Sequence, residues 1–286
     1  MNEFKSPYKQ LNRKVNTWCR WTKRLDTYGC GCQHDCKYCY AKSLLSFRGF
    51  WNVSEPTIAD LYKIKCAIKR LSTRDIVRMG GMTDCFQPIE MEKRITYRTI
   101  LILNQFRISY LIVTKSDTVA SDEYINIYDK KLSHFQITVT STDENNYEKA
   151  PIPRKRIKAI EKLASLGFDV SLRLSPYLEH NIDFTILNNI KCDKVLIEFL
   201  KVNPNIEKWF NIDFTEYSLK FGGFKHLPLN RKIELVNKVT GFNQVSVGEY
   251  VKDHYLYFRD NVNFNKDDCC NLKERKFENH LQLTLL

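Results

Sequence analysis

The sequence lacks any long apolar run. No stretch approaches the ~18 consecutive apolar residues that a membrane-spanning helix needs. Residues 1–14 are polar and contain no apolar run of the kind that a signal peptide requires. We therefore expect no membrane association and a cytoplasmic location, where thiols stay reduced.

Internal repeats and low-complexity linkers are also missing. Hydrophobic residues make up 43% and charged residues 27% of the 286 residues, which is ordinary for a folded soluble protein. A chain of this length buries a sizeable core without disulfides. Disordered and collagen-like proteins are excluded. One large domain, two small domains and an α/β barrel with a tail all fit this length.

Acidic residues are fewer than basic ones. The chain has 45 Lys and Arg against 33 Asp and Glu, a formal net charge of +12. This balance suggests an anionic partner such as nucleic acid. The alternative is a composition bias toward Lys, Asn, Ile and Tyr, with many of the lysines simply solvated. Charge alone leaves both explanations open.

Short β-rich runs alternate with helical patterns, which is typical of βα units and a parallel sheet. The apolar run 109–114 is typical of a strand buried on both faces. Other strands are predicted just before the cysteine cluster and at 75–82, 135–141, 169–174 and 194–199, with a further candidate at 244–247. Helices are predicted at 56–71, 92–106, 121–131, 153–166, 183–190 and 230–239.

These patterns predict an α/β fold, a partial (β/α)6 barrel of parallel strands. The barrel is predicted to span residues 25–210, after an N-terminal segment at 1–24. A C-terminal extension follows at 211–286, and we expect it to cover the substrate.

Four of the ten cysteines fall within residues 30–39. The segment Cys32-Gln-His-Asp-Cys36-Lys-Tyr-Cys39 has the spacing C-x3-C-x2-C. Three thiolates on one loop can converge on one metal centre, and soft sulfur ligands suit zinc or iron–sulfur clusters. No matching second pair follows, as a zinc ribbon would require. Three ligands would leave one iron of a [4Fe–4S] cluster open, as a reactive metal site needs.

The cysteine motif, with Tyr38 before its last cysteine and Tyr40-Ala41 after it, resembles that of the radical S-adenosylmethionine (SAM) superfamily. Within the superfamily, the sequence resembles the spore photoproduct lyase and DNA repair photolyase-like branch. The likeness covers roughly residues 25–200. It includes a lead-in at 27–32 (TYGCGC), a segment at 83–90 (TDCFQPIE), and strand ends at 114–116 (TKS), 140–144 (TSTDE) and 173–176 (RLSP).

The resemblance implies that Cys32, Cys36 and Cys39 hold a [4Fe–4S] cluster whose fourth iron binds SAM. One electron from the reduced cluster would cleave SAM to methionine and a 5′-deoxyadenosyl radical, which abstracts hydrogen from a substrate. It also implies an electron donor, namely a reductase, flavodoxin or ferredoxin. We expect the enzyme to be a monomer.

The resemblance further implies a set of SAM-binding residues at the C-terminal ends of the strands, where sites in parallel barrels collect. Ordinary turns, surface charges, strand capping and packing are the alternative roles for these side chains. The segment that contacts the SAM amino group contains Gly80, Gly81, Thr83 and Asp84. Lys115 and Arg173 are predicted to bind the SAM carboxylate, and Thr140 and Ser141 its ribose. Tyr38 is predicted to lie beside the adenine, and Glu198 to face the cavity.

Cys85 departs from the branch pattern, in which proline is more usual at that place. A thiol near the radical could return a hydrogen atom to a substrate or product radical, so Cys85 is the candidate catalytic residue. The alternative is a small buried hydrophobe. Cys30 is predicted to be a spectator, and an auxiliary cluster at Cys269 and Cys270 is disfavoured because adjacent cysteines cannot easily turn to one metal.

The leading hypothesis is a radical SAM enzyme that acts on a nucleic-acid base, in the repair of DNA lesions such as a thymine dimer or in base modification. Residues 250–263 mix aromatic and basic side chains, which either stack bases and meet phosphates or form a packed tail. One alternative is the same radical chemistry on a small molecule or peptide. Another is a non-catalytic zinc- or cluster-binding nucleic-acid module, which predicts bound zinc and intact SAM.

Overall fold

A parallel sheet forms the centre of the molecule. The computed structural model describes residues 8–10 and 20–272. The strands are β1 (Tyr8–Gln10), β2 (Lys23–Leu25), β3 (Tyr28–Gly29), β4 (Thr57–Ile58), β5 (Ile76–Met79), β6 (Ser109–Thr114), β7 (Ser133–Val139), β8 (Asp169–Tyr177), β9 (Lys194–Phe199), β10 (Leu219–Phe221), β11 (Phe224–His226) and β12 (Gln244–Val247).

The helices follow the strands in alternation. They are α1 (Tyr40–Phe47), α2 (Leu61–Ile68), α3 (Glu90–Lys93), α4 (Ile95–Gln105), α5 (Asp122–Ile125), α6 (Pro153–Ser165), α7 (Phe184–Asn188), α8 (Pro204–Trp209), α9 (Leu229–Asn237) and α10 (Lys252–Asn261). Two 3₁₀ turns occupy Asp117–Ala120 and Glu179–Asn181.

The strand order is β1-β2-β5-β6-β7-β8-β9-β12. Strand β1 pairs with β2 in antiparallel fashion, and the seven strands from β2 to β12 are parallel. This confirms the predicted α/β class and the partial barrel, which β12 extends beyond six strands. Two short hairpin sheets, β3 with β4 and β10 with β11, lie outside the main sheet.

The two faces of the sheet bury different residues because successive side chains of a strand point to opposite faces. On β6, Tyr110 and Ile112 belong to the main core, together with helix residues such as Ile160 on α6. Leu111 and Val113 point the other way, into a smaller apolar cluster. Every residue of β6 is therefore buried.

A segment late in the chain closes the sheet at the starts of its strands. The smaller cluster includes Cys270 and Leu272, and Trp21 packs against it. The Trp21 indole donates to Asp268 at 2.9 Å, and Lys194, the first residue of β9, donates to the Asn271 carbonyl at 2.6 Å. The C-terminal part of the chain thus returns to the strand ends opposite those where the predicted SAM residues lie.

The division into residues 1–24, 25–210 and 211–286 remains a prediction. Residues 1–7, 11–19 and 273–286 of the flanking segments lie outside the described residues. Strand β12 belongs to the predicted extension, yet it pairs in register with β9. Among the described residues, no helix is long and apolar enough to cross a membrane.

Several elements differ from the sequence-based prediction. Strand β8 does not stop before Pro176 but continues to Tyr177, because the register shift between Leu174 and Tyr177 accommodates the proline. The helix predicted at 92–106 is two helices separated by Arg94 in the left-handed conformation, with φ 57°. The helix predicted from 121 to 131 ends at Ile125.

Candidate functional site

The cysteine loop, residues 30–39, connects β3 to α1. The Asp35 amide donates to the Cys32 carbonyl at 3.1 Å, and the Cys39 amide donates to the Cys36 carbonyl at 3.2 Å. Cys39 is also the N-cap of α1, since its Sγ accepts from the Lys42 amide at 3.4 Å. These turns bring the three thiols onto one short loop at the start of a helix.

The surroundings of the thiols disfavour free thiolates. Burial, with Asp84 nearby, raises the pKa of Cys32 to about 12. Burial also raises the pKa of Cys36 well above its usual value, where the Lys115 cation opposes the rise and the Glu148 carboxylate adds to it. The pKa of Cys39 is raised by burial as well. A metal bound here would have to displace these protons.

The donor set fits an iron–sulfur cluster. Three sulfur ligands share one loop, and the Lys115 cation lies close enough to lower the pKa values of Cys36 and Cys39. Within residues 20–272, no three His, Cys, Asp or Glu side chains are gathered tightly enough to hold a single metal ion.

The segment 83–90 anchors the cysteine loop. Thr83 donates through its hydroxyl to the Tyr28 carbonyl at 2.6 Å. The Gln87 side chain accepts from the Gln33 amide at 2.8 Å, and the Gln33 side chain accepts from the Ile89 amide at 2.6 Å. The segment 83–90 therefore holds the cysteine loop through two hydrogen bonds to Gln33, one to its backbone amide and one to its side chain.

Asp84 joins three parts of the site. Its carboxylate accepts from the Thr114 hydroxyl and the Lys115 amide, both at 2.7 Å, and from the Phe86 amide at 2.8 Å. The imidazole of His34, in the cysteine loop, lies 3.3 Å away. Burial alone would raise the pKa of Asp84, but His34 and these donors hold it below its usual value. Asp84 thus links the ends of β5 and β6 to the loop.

Glu148 is a functional candidate that sequence reasoning missed. Its buried carboxylate pairs with Arg156, accepts from the Tyr38 hydroxyl, and accepts from the Thr140 hydroxyl at 3.0 Å. The Cys36 sulfur lies 3.9 Å from it. Burial would raise the pKa of Glu148, but Arg156 and Lys115 keep it below its usual value. A negative charge therefore sits beside a predicted cluster ligand.

One feature of the sequence could have revealed the ion pair between Glu148 and Arg156. Arg156 occupies the buried face of α6, in step with Pro153, Ala159, Ile160 and Leu163. A charged residue at such a position needs a buried partner of opposite charge. Glu148 itself lies in a polar loop, where no periodic pattern distinguishes it.

Tyr38 lies beside the predicted cluster ligands. Its ring makes edge contacts with Tyr147 and Phe210, at centroid distances of 5.8 and 5.6 Å. The Lys115 ammonium lies 5.5 Å from the ring centroid. The structure therefore brings together Tyr38, Lys115 and the cysteine loop, while their contacts with SAM remain predictions.

The backbone geometry of the turn after β5, at Gly80 and Gly81, requires a glycine at residue 80. Gly80 has φ +81°, and a Cβ there would overlap the Val113 carbonyl oxygen. The Gly81 amide donates to Asp26 at 3.0 Å, and its carbonyl accepts from the Tyr40 hydroxyl at 2.8 Å. Asp26, which sequence reasoning missed, thus fixes this turn. Contact of the pair with SAM remains a prediction.

Arg173 pairs with Glu198, which lies near the end of β9. The expectation that Arg173 ends its strand is wrong, because β8 continues four residues further to Tyr177. Gln136 accepts from the Arg173 guanidinium at 2.9 Å, and the Ser175 hydroxyl donates to Glu198 at 2.8 Å. Burial opposes ionisation of Glu198, but Arg173 and other cations lower its pKa to about 2. Both side chains point to the face of the sheet away from the main core.

Thr140 and Ser141, the predicted ribose ligands, use their hydroxyls within the chain. Thr140 donates to Glu148, and Ser141 donates to the Asp143 carbonyl at 2.7 Å. Cys85 is 1% exposed and lies in the main core, where its carbonyl accepts from Thr96 at 2.6 Å. Its role as a hydrogen donor remains a prediction.

Three further cysteines, Cys30, Cys269 and Cys270, were also considered in the sequence analysis. Cys30 has φ 52° and accepts at its carbonyl from the Asn52 amide at 2.7 Å. Cys269 and Cys270 belong to the apolar cluster at the strand starts, away from the cysteine loop.

An open cavity of about 790 Å³ lies along the outer side of the cysteine loop. Its lining includes Lys37, Tyr147, His180 and Phe210. Tyr147 and Phe210 also contact Tyr38, so the cavity adjoins the site.

Residues 27–183 match the model of the Radical SAM superfamily. The match covers more than half of the chain, and the chain belongs to this superfamily, whose enzymes use a [4Fe–4S] cluster and SAM.

The fold is similar to that of spore photoproduct lyase. One structure of that enzyme, a double mutant with bound SAM and dinucleoside spore photoproduct, superposes with a TM-score of 0.62 at 15% identity, covering 85% of this chain and 79% of the other. SuiB from Streptococcus suis, bound to the precursor peptide SuiA, superposes with a TM-score of 0.56 at 10% identity, covering 85% of this chain and 53% of SuiB. These comparisons confirm the predicted resemblance as a likeness of fold.

A relative in sequence is an uncharacterized protein of Methanocaldococcus jannaschii. It is 31% identical over 164 residues, which are 54% of this chain. The aligned part spans 60% of that relative's length.

Proposed function

We propose that this chain is a radical SAM enzyme that acts on a nucleic-acid base, in lesion repair or base modification. The observation that carries the proposal is the fold shared with an enzyme that binds SAM and a dinucleoside lesion, over 79% of that enzyme. The net charge of +12 supports it, because Lys and Arg contacts to phosphates supply sequence-independent affinity.

In this proposal Cys32, Cys36 and Cys39 hold the cluster. With SAM bound, such a cluster would supply the electron that splits SAM into methionine and a 5′-deoxyadenosyl radical. The protein supplies orientation and exclusion of competing reactions. Lys115, beside both Tyr38 and the cysteine loop, is placed to bind an anionic group of SAM. Arg173 would exchange part of its contact with Glu198 for the SAM carboxylate.

The helix α10 contributes less to nucleic-acid binding than its composition suggests. Phe258 and His254 are buried, and Nδ1 of His254 accepts a hydrogen bond from the buried Lys232 ammonium at 3.0 Å. Arg259 pairs with its neighbour Asp260 at 2.8 Å. This favours the packed-tail interpretation of residues 250–263.

We propose that the first part of the C-terminal extension (residues 211–286) covers the substrate. Lys201, two residues after β9, lies 4.0 Å from the Tyr250 ring centroid, and Tyr250 packs against Phe221 and His226 of the β10–β11 hairpin. This hairpin therefore lies near the C-terminal ends of the strands. We further propose a cytoplasmic monomer that takes electrons from a reductase, flavodoxin or ferredoxin.

A peptide substrate is the second candidate. It is favoured by the likeness to SuiB in complex with its precursor peptide, although this chain covers only 53% of SuiB.

The enzymatic activity is tested by anaerobic purification, reconstitution with iron and sulfide, and reduction with dithionite. We expect the wild-type protein to produce 5′-deoxyadenosine from SAM. The matched control is the variant Cys32→Ala/Cys36→Ala/Cys39→Ala, which should produce none. Bound zinc with intact SAM would contradict the proposal and support a binding module.

The substrate class is tested with deuterium-labelled DNA, lesion-containing DNA, RNA and peptide. Deuterium should appear in 5′-deoxyadenosine only with a nucleic acid. Transfer from the peptide alone would support the second candidate instead.

A further inference from the structure

Lys201 is a half-buried lysine at the C-terminal end of β9, which it follows by two residues. The next residue, Val202, forms an antiparallel bridge with Lys225 of the β10–β11 hairpin. The Lys201 ammonium lies 4.0 Å from the centroid of the Tyr250 ring, in the segment after β12. The end of β9, the hairpin and the segment after β12 therefore meet at Lys201.

One carboxylate near Lys201 is that of Glu198, which has other partners. It pairs with Arg173 and accepts from the Ser175 hydroxyl at 2.8 Å. A Cβ at Gly248 would lie 3.2 Å from its Oε1, so Glu198 packs directly on the backbone after β12. The charge of Glu198 is therefore balanced without Lys201.

The other carboxylate near Lys201 is that of Glu249, which is also occupied. It pairs with the fully buried Lys232 at 2.5 Å and accepts from the Tyr250 and Val251 amides at 2.6 and 3.0 Å. Within residues 20–272, the Lys201 ammonium takes part in no hydrogen bond and no ion pair.

The charges of this cluster leave Lys201 in excess. The cations are Arg173, Lys201 and Lys232, and the carboxylates are those of Glu198 and Glu249. Burial lowers the pKa of Lys201, the Lys232 cation adds to this effect, and the two carboxylates oppose it only in part. The surroundings of Lys201 therefore favour the arrival of an anion.

We propose that Lys201 binds a phosphate of the nucleic-acid substrate, next to the target base. This inference rests on the proposed function. The Lys201 ammonium would donate a charge-assisted hydrogen bond to a phosphate oxygen. Lys201 would then select a nucleotide within a strand over a free base or nucleoside.

The neighbouring aromatic side chains favour a nucleotide over an isolated carboxylate. Phe221, on the hairpin, is 41% exposed and makes an edge contact with the Tyr250 ring at a centroid distance of 5.6 Å. An exposed aromatic ring close to a cation stacks a base while the cation meets a phosphate. The SAM carboxylate is the other anion expected at these strand ends, and Lys115 and Arg173 are already predicted to bind it.

The test measures nucleic-acid binding by fluorescence anisotropy with the cluster- and SAM-loaded protein. The probes are a fluorescein-labelled thymidine octamer, intact or ultraviolet-irradiated, and a uridine octamer. Lys201→Met keeps the length of the side chain and removes its charge. It should bind the octamer that the wild-type protein prefers about tenfold more weakly, as expected for one hydrogen bond to a charged group. Lys201→Arg should recover most of the affinity.

A neutral probe isolates the phosphate charge. The same octamer with methylphosphonate linkages carries no backbone charge, so the wild-type protein and Lys201→Met should bind it equally. With the charged octamer, Lys201→Met should reduce the slope of log affinity against log salt by about 0.7, the value for one phosphate contact on a single strand.

The matched control is Lys191→Met, which removes an exposed charge just before the start of the same strand. It should bind every octamer with the wild-type affinity. The urea midpoint of Lys201→Met should not fall, because the substitution removes a charge that burial disfavours.

Four results would overturn the inference. They are an unchanged affinity of Lys201→Met for the charged octamer, an equal loss with the neutral octamer, weaker binding of SAM by Lys201→Met, and Lys201-dependent binding of a glutamate octapeptide in place of the octamers. Weaker SAM binding would assign Lys201 to the SAM carboxylate, and the octapeptide result to an acidic peptide. Failure of the proposed function has a different signature, since the wild-type protein itself would then bind none of the octamers, and the inference would fall with it.

Discussion

Arg173 and Glu198 form an ion pair. Their ion pair, supported by Gln136 and Ser175, holds two charges on the neighbouring strands β8 and β9. A pair of this kind keeps a cationic side chain in place until an anion arrives. The cost of parting Arg173 from Glu198 would then be offset by the new anionic contact.

The ionisation of Glu198 should contribute to the pH dependence of stability. Its pKa is about 2 in the folded protein against an ordinary 4.5, so as pH falls between these values the unfolded chain takes up a proton first. Unfolding therefore becomes more favourable as the pH falls. Glu198→Gln should show a shallower decrease in the free energy of unfolding over this range, measured by urea titration.

The control for Glu198→Gln is Glu144→Gln, which alters an exposed carboxylate. Its curve should run parallel to that of the wild-type protein. If the Glu198→Gln and wild-type curves were parallel, the depressed pKa would be contradicted.

At the scale of elements, the connection between β7 and α6 runs along the cysteine loop. The Lys37 amide donates to the Tyr147 carbonyl at 2.8 Å, and the Lys149 amide donates to the His34 carbonyl at 2.6 Å. Glu148 lies between these two contacts and turns inward to Arg156. The connection and helix α6 therefore position the loop together.

Glu148→Gln should destabilise the protein strongly. The substitution leaves the guanidinium of Arg156 buried without its carboxylate, which typically costs about 3–5 kcal/mol. Urea unfolding of the cluster-free protein measures the loss, with Glu144→Gln as the control from the same loop. The double variant Glu148→Gln/Arg156→Gln should recover part of it, because no unpaired charge remains. Equal stability of the single variant and the control would refute the assignment.

The sequence predicted strands better than helices. Strands β6, β9 and β12 have the predicted bounds, because their apolar runs are short and packing on the sheet preserves them. The predicted helix at 56–71 begins only at Leu61, after Asp60 caps it and Thr57–Ile58 pairs with β3. The local spacing of apolar residues does not predict such pairing with a distant segment.

Some residues of the candidate site could likewise be predicted from local sequence, and others could not. Cys32, Cys36 and Cys39 are predicted as cluster ligands from a local spacing and the family resemblance that it carries. The contact of Glu148 with Cys36 spans 112 positions and has no local signal. Buried carboxylates that hold a loop from a distance are visible only once the chain has folded.

At the scale of the whole molecule, the two ends of the barrel carry different sets of residues. Apart from Tyr38 in the cysteine loop and Arg173 within β8, the predicted SAM residues lie near the C-terminal strand ends. The segment around Asp268 lies at the opposite ends, where His134, Asp169 and Lys194 form a buried ionic cluster with distances of 2.7 and 2.5 Å. Substitutions there should change stability more than chemistry.

Asp268→Ala tests this division. The Asp268 carboxylate accepts from the Trp21 indole and from the amides of Cys270 and Leu272 at 2.9–3.1 Å. Leaving these buried donors without an acceptor should cost about 1–3 kcal/mol or more, seen as a lower midpoint in urea. The exposed neighbour Asp267→Ala serves as the control. A loss of SAM cleavage without loss of stability would contradict the division.

The contact between Trp21 and Asp268 also dictates an order of events during synthesis. The two residues are 247 positions apart, so the ribosome must make nearly all of the described chain before the strand starts are sealed. The cysteine loop and the segment 83–90 emerge long before that. A nascent chain therefore presents its thiols while the apolar interior behind β6 is still open to water.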